Sequence, residues 1–465
     1  MYKSDDTIAA ISTPHGTGGI AIIRISGSRS IEIAASVLTC KINLGEAESH
    51  KAYLAKVFAK TQSKTSQLLD EVLVTIFRSP KSYTTEDVVE ISCHGGSYLS
   101  RRILQLILDN GARMARRGEF TERAFLNGRL DLSQAEAVAD IIAAKTDWSL
   151  RAAIAQFQGG LSRKIHKIRH DLIEIVALLE LELDFAEEDV EFTEKSDILV
   201  QLQKIISEME SFLQTYRRGK IYREGAKLTI VGKPNVGKSS ILNALLKEER
   251  AIVTEISGTT RDVLEEQLDI QGVLFRVVDT AGIRNTQNVI EKEGVKRSFQ
   301  QIKEADIVLF VFDGSEKLTE RDRVILKEVL SKKKQTIFSI NKSDLPLKLD
   351  LSKIQRLVNQ KDVIKMSAKT HDGLSTLEKK LIEAATDNKM PSQTDVALTN
   401  VRQKKALQEA IERLRSAETS LNRGLSSEFV AQDFRDAVNC LGGIIGEVTT
   451  EDILGVVFSR FCIGK

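Results

Sequence analysis

The sequence predicts a chain of three parts. Residues 1–120 form a mixed α+β domain, residues 121–224 and 386–465 form an all-α helical domain in two pieces, and residues 225–385 form a doubly wound α/β domain inserted between those pieces. Three observations predict this. The apolar strand-like run Lys227 to Val231 enters a G-x-x-x-x-G-K-S loop. Apolar residues recur at gaps of three and four on both sides of that region. Before residue 110, short apolar β-runs alternate with Gly-rich turns. A length of 465 residues accommodates about three domains.

Composition narrows the function classes. Net charge is +2, from 67 basic and 65 acidic residues, so the chain is no constitutive nucleic-acid coat, although local patches can still meet RNA. The four cysteines, Cys40, Cys93, Cys440 and Cys462, show no C-x-x-C spacing. That argues against a disulfide framework or zinc site and for a reducing cytoplasm. No apolar run approaches the roughly 18 residues of a membrane span, and MYKSDDTIAA has no signal-peptide apolar core.

In the N-terminal part, Ile8–Ile11, Ile20–Ile25, Leu54–Ala59, Val72–Phe77 and Val88–Ser92 read as strands, and Tyr98–Asn110 as an amphipathic helix. Arg24 inside IAIIRIS and Glu90 inside VVEIS are charges in β-runs, ordinarily the solvent-facing alternates of a strand. His94, before Gly95-Gly96, reads as a turn or core histidine with no partner identifiable from sequence.

Helical periodicity follows. Leu161, Ile165, Ile168, Leu172, Ile175, Leu179 and Leu183 form one seam, and Ile198, Leu202, Ile205, Met209, Phe212 and Tyr216 another. Packing within the chain's own bundle is the expected use of both. The basic stripe Arg163 to His170 is expected on the wet face of the first helix, and Glu187 to Glu191 in a solvated loop. Leu407, Ile411, Leu414 and Leu421 resume the pattern after residue 385.

The inserted part carries the chemistry. In the loop Gly232 to Ser239, glycines let successive N–H groups converge on phosphate oxygens, and the following helix adds its positive end. Asn235, Val236, Gly237, Lys238, Ser239 and Ser240 are therefore expected against the phosphates, with Lys238 reaching the β- and γ-phosphates and Ser239 holding Mg²⁺. Gly258-Thr259-Thr260 supplies a second Mg²⁺ ligand, Thr260, from a switch that also contains Thr254, Glu255, Ile256 and Ser257. Asp279-Thr280-Ala281-Gly282 is the D-x-x-G that watches the γ-phosphate.

Asn341-Lys342-Ser343-Asp344 follows a strand at Thr336–Ile340. The Asp344 carboxylate can accept from N1 and N2 of guanine, whereas adenine lacks the amino group and leaves the charge unpaired. Ser367-Ala368-Lys369 offers a backbone N–H for guanine O6. Five elements in this order predict GTP as substrate.

These elements resemble those of the TRAFAC-class GTPases, with a Ras-like G domain. The whole chain is similar to the tRNA modification GTPase family MnmE (TrmE). The resemblance rests on Thr13-Pro14 with Gly18-Gly19, Arg24-Ile25-Ser26-Gly27, Glu86-Asp87 through Gly96, Gly118 to Asn127, Leu130 to Ala137, and the terminal Phe461-Cys462-Ile463-Gly464-Lys465. It implies an N-terminal site for a reduced folate, 5-formyl- or 5,10-methylene-tetrahydrofolate, at Arg24, Glu90, Arg129 and Lys465. It implies K⁺ held by Asn235, Thr254, Ile256 and Thr259, and Glu291 as the residue that positions water, because Ile283 stands where many GTPases carry Gln.

The resemblance further implies a homodimer that works with an FAD-dependent partner, MnmG (GidA), in a heterotetramer. Together they would place an aminomethyl-type or carboxymethylaminomethyl group on C5 of wobble uridine 34 of certain tRNAs. The alternative is a GTP-dependent switch that binds ribosomes or RNA and modifies nothing; its GTPase module would look alike. The tail Phe458 to Lys465 would ordinarily fray, but its apolar alternation also suits a tucked end. Gly443 to Gly446 is formally G-x-x-G, yet acidic residues follow it and no RNA role is assigned.

Overall fold

The computed structural model describes residues 6–14, 16–60, 66–184, 195–248, 266–278, 300–358, 363–387 and 396–465. Its chain divides into two compact units, residues 1–139 with 439–465, and residues 140–438. It is multidomain, with an α+β domain, long helices and a Ras-like α/β sheet.

The first unit is built on seven strands. They are β1 (Ile8–Ile11), β2 (Ile20–Ser26), β3 (Leu38–Cys40), β4 (Ala52–Lys60), β5 (Ser66–Phe77), β6 (Val88–His94) and β7 (Arg113–Met114), in the order β3-β4-β5-β6-β2-β1-β7. All neighbours are antiparallel except β1 and β7. Alternation decides the faces: in β2, Ala21, Ile23 and Ile25 are buried beneath α1 (Ser30–Val37) and α2 (Ser97–Asp109), which puts Arg24 on the other face. The short elements α1, β3 and β7 escape sequence periodicity, which needs longer runs to show.

After α2 come α3 (Glu119–Leu126) and α4 (Leu132–Ala143). Phe125 and Leu132 pack with Val457, Phe458 and Phe461 from the end of the chain. Arg123, fully buried on α3, is neutralised by Asp6 at 2.6 Å, Glu86 at 3.0 Å and Glu119 at 3.4 Å, as a buried cation requires.

The second unit opens with α5 (Asp147–Phe157), α6 (Gly160–Asp184), α7 (Lys195–Gln214) and α8 (Tyr216–Glu224). The α6 and α7 seams from Leu161 to Leu179 and from Ile198 to Phe212 are buried within the chain, as their spacing required. The basic stripe of α6 is partly engaged: Lys164 Nζ lies 4.3 Å from the Phe212 ring centre, and Arg169 Nε donates to Val438 O at 3.3 Å. The acidic run Glu187 to Glu191 lies outside the described residues.

The unit's sheet has six strands: β8 (Ala226–Val231), β9 (Glu266–Ile270), β10 (Val273–Val277), β11 (Ile307–Asp313), β12 (Gln335–Asn341) and β13 (Ile364–Lys365). The order is β13-β12-β11-β8-β10-β9, parallel except for the β9–β10 hairpin. Between them run α9 (Lys238–Glu248), α10 (Glu320–Ser331), α11 (Leu351–Val358) and α12 (Leu374–Thr386). The chain crosses to one side of β8 and then to the other, so the carboxyl ends of β8, β11 and β12 border the crevice where such sheets bind ligands. The helices α13 (Val401–Asn422), α14 (Ser427–Ile445) and α15 (Glu451–Phe458) close the sequence. Gly446, at φ +88°, ends α14, so the G-x-x-G is a helix terminus.

Candidate functional site

The phosphate loop follows β8 directly. Asn235 sits at φ +63° and Gly237 at φ +96°, the left-handed turns that curl such a loop. Lys238 begins α9, and its Nζ donates to the carbonyls of Gly232 and Lys233, both at 2.9 Å. Burial alone holds this ammonium below its usual range. A desolvated cation with carbonyl partners only is what an incoming phosphate would complete, so the loop fits a nucleotide. Ser239 and Ser240 follow in the first turn of the helix.

Asn341 ends β12, buried, and reaches both ways. Its Nδ2 donates to Val236 O in the phosphate loop at 2.7 Å, while its Oδ1 accepts from Ala368 N at 3.0 Å. Ser367 Oγ donates to Asp344 Oδ1 at 2.7 Å, the main cause that keeps this exposed carboxylate charged below its ordinary range. An ionised, oriented Asp344 is what guanine N1 and N2 require. Of the backbone N–H groups that Ser367-Ala368-Lys369 offers for guanine O6, that of Ala368 is engaged by Asn341, so a docked base must share that hydrogen or use the neighbouring Lys369 N–H. The sequence motifs missed one device here: Lys342 Nζ donates to Asp313 Oδ2 at 2.6 Å, across to the end of β11.

Thr254, Glu255, Ile256, Ser257, Gly258, Thr259, Thr260, Asp279, Thr280, Ala281, Gly282 and Glu291 lie outside the described residues. The structure therefore gathers Asn235 to Ser240, Asn341 to Asp344 and Ser367 to Lys369.

A second site lies in the first unit. Register pairs Arg24 with Glu90 across β2 and β6. Arg24 Nε is 2.8 Å and Nη2 2.7 Å from Glu90 Oε1, with the two side chains only 14% and 22% exposed. They are thus outward-facing but covered, not the solvated alternates their strands suggested. The Arg24 guanidinium lies 5.3 Å from the Tyr83 ring centre and 5.6 Å from that of Phe120. Arg129 also sits over Tyr83, 4.9 Å from its ring centre, and donates to Tyr83 O at 2.6 Å. Next to them a cleft of about 570 Å³ is lined by Phe77, Pro80, Ser82, Tyr83, Asn127 and Arg129.

The chain's end completes this group. Gly118 N donates to Cys462 O at 3.3 Å, Arg117 Nε to Phe461 O at 3.0 Å, and Ser12 Oγ to Gly464 O at 3.1 Å. Gly464, at φ +97°, packs on Ile11 so closely that any side chain there would collide with the Ile11 carbonyl. The tail is tucked, not frayed. Burial first, then the Arg24 charge, hold the Lys465 ammonium below its usual range, opposed by Glu90. Three cations, Arg24, Arg129 and Lys465, against the one carboxylate of Glu90, beside aromatic rings, suit a planar ligand with an anionic end. Tyr83 and Phe120 stand 37 residues apart, so no local period joins them to this group.

His94 is exposed, and its Nδ1 lies 2.7 Å from Asp70 Oδ1. That partner sits on the neighbouring strand β5, where local sequence could not reveal it.

A six-stranded sheet with this loop, this Asn341 staple and this Asp344 arrangement defines a P-loop GTPase domain, carried here with an α+β domain and long helices. Comparison with known proteins gives the family. The model described as "GTP-binding protein TrmE N-terminus" matches residues 7–129, and that described as "MnmE helical domain" matches residues 132–462. The chain is 46% identical over 465 residues to the tRNA modification GTPase MnmE of Syntrophus aciditrophicus, covering 99% of each chain. It is 43% identical over 465 residues to that of Acetivibrio thermocellus, covering 100% of each. The chain belongs to the tRNA modification GTPase MnmE family.

Proposed function

We propose that this protein hydrolyses GTP in the modification of tRNA, adding an aminomethyl-type group to C5 of wobble uridine 34 together with an FAD-dependent partner, MnmG. The observation that carries the guanine half is the pair of bonds from Asn341, to Val236 O and from Ala368 N, which fixes the phosphate loop and the base-reading loop together beside an ionised Asp344.

Lys238 would bind the β- and γ-phosphates, and Asp344 would select guanine. Bound Mg²⁺, at Ser239 and Thr260, and K⁺, at Asn235, Thr254, Ile256 and Thr259, would neutralise charge on the phosphates, a task for which an arginine finger elsewhere supplies about 10³–10⁵ in rate. Glu291 would position the attacking water in place of the Gln that Ile283 replaces. Arg24, Glu90, Arg129 and Lys465 would hold a methylene-tetrahydrofolate as the one-carbon source, with Glu90 on the pterin edge and the cations on the carboxylates. We further infer a homodimer through the domain at 1–120, the helical and G parts at 121–224 with 386–465 and at 225–385, a heterotetramer with the partner, and a cytoplasmic setting. All four cysteines are free, which accords with that setting, and among the described residues no helix is long and apolar enough to cross a membrane.

The test is reconstitution of the protein with the flavin partner, folate, GTP and tRNA, followed by mass spectrometry of tRNA nucleosides. Wild type should modify uridine 34 and Glu291→Ala should not. Equal turnover in K⁺ and Na⁺ would remove potassium from the mechanism, and unmodified uridine in the wild-type mixture would overturn the assignment.

A further inference from the structure

The strand β11 ends in a short loop, Asp313-Gly314-Ser315-Glu316, that lies outside every guanine-nucleotide motif of the sequence. Asp313 is buried. Its Oδ1 accepts from Ser315 N at 2.9 Å and from Ser315 Oγ at 2.7 Å, and its Oδ2 takes Lys342 Nζ at 2.6 Å. Lys342, the second residue of N-K-S-D, stands at φ +66°, so its backbone is as particular as its side chain. Gly314 fastens the loop again, through Gly314 N to Asn341 O at 2.9 Å.

The far end of the loop grips the phosphate side. Glu316 Oε2 accepts from Lys233 Nζ at 2.6 Å. Lys233 is the second residue of the G-x-x-x-x-G-K-S loop, and its own carbonyl holds Lys238 Nζ. Neutrality does not need Glu316. Asp322 Oδ2, buried 3.7 Å from Lys233 Nζ, already supplies a counter-charge. Glu316, 59% exposed, adds direction instead: its closer oxygen decides where the Lys233 side chain points.

We propose that Asp313–Glu316 is a positioning element for the nucleotide, in which Asp313 holds Lys342 on the base side and Glu316 holds Lys233 at the root of the phosphate loop. The proposal rests on the guanine-nucleotide reading above. Neither residue touches the ligand itself; each acts through a lysine. One loop thereby sets the spacing between the base-reading and phosphate-reading halves, and the two halves are separable by mutation.

Competition against fluorescent GDP on the full chain tests this, with GDP, IDP, GMP and ADP as competitors. IDP lacks the exocyclic amino group and reports on the base side; GMP lacks the β-phosphate and reports on the loop. Asp313→Asn should shrink the GDP-over-IDP preference about fivefold or more, the scale of one weakened charge-assisted hydrogen bond, and leave GDP over GMP unchanged. Glu316→Gln should do the reverse. Because Glu316 is exposed, its variant keeps the test open if Asp313→Asn fails to fold. A merely structural role would lower all affinities in proportion, so unchanged ratios in the variants overturn the proposal, each ratio judging its own half. A parent protein that holds GDP no better than ADP overturns the guanine-nucleotide reading and this proposal with it.

Discussion

Asn341 donates from Nδ2 to the Val236 carbonyl at 2.7 Å, joining the last residue of β12 to the middle of the phosphate loop. Replacing it with Ala strands two buried groups, Val236 O and Ala368 N, at about 1–3 kcal/mol each. Asn341→Ala should therefore weaken GDP binding by one to two orders of magnitude, at about 1.4 kcal/mol per tenfold, measurable by titration with a fluorescent nucleotide.

Gly237 faces the same amide. Its φ of +96° already excludes most side chains, and a Cβ there would collide with Asn341 Nδ2. Gly237→Ala is expected to abolish nucleotide binding and leave the first unit intact, so far-ultraviolet dichroism should change little while GDP titration goes flat.

Lys465 presents the opposite balance between stability and function. Burial and Arg24 lower its pKa, so the folded state binds fewer protons than the unfolded one between the two pKa values. Stability then rises with pH through that window, because the strain of a buried ammonium is relieved as it loses its proton. Lys465→Met should raise the melting temperature at neutral pH and abolish tetrahydrofolate binding in the same preparation. A melting temperature that falls would contradict this.

Glu119 predicts an acid limit. Burial by itself pushes its carboxyl up, but hydrogen bonds from Arg113 and the Arg116 amide outweigh it and hold the group at about 2. A depressed acid stabilises above its unfolded pKa, and that contribution, on the order of 3 kcal/mol, is lost as pH falls from about 4.3 towards 2. Urea melts across that range should flatten in Glu119→Gln.

The single tryptophan marks a joint in the second unit. Gly272, at φ +87° in the β9–β10 turn, lies against the Trp148 indole so closely that a Cβ would strike it. Gly272→Ala should destabilise by about 1–3 kcal/mol, the strain of a left-handed position plus the clash, and should shift the intrinsic fluorescence maximum.

Much of the fold is legible in the sequence. Ile8–Ile11 is a strand with those ends, Lys227–Val231 grows by one residue to Ala226–Val231, and the buried seams of α6 and α7 follow their spacing. Strong periods over many residues leave little choice of face. Short elements such as β3 and β7 were not legible, since two or three residues carry no period. Of the site, the phosphate loop and N-K-S-D are contiguous and could be seen at once. The Lys342–Asp313 pair joins positions 29 residues apart, and Arg24–Tyr83 joins positions 59 apart.

By itself the sequence determined the longer strands and helices and predicted a phosphate-binding loop after β8 and a preference for guanine, because each depends on local spacing and on the chemistry of adjacent residues. Only the tertiary structure decided that Arg24 answers Glu90, that the tail brings Lys465 to both, and that Asp313 pairs with Lys342 while Glu316 pairs with Lys233. Those relations arise from strand register and from the crossing of β8, β11 and β12, and register is fixed by burying whole faces at once, which no single stretch of chain encodes.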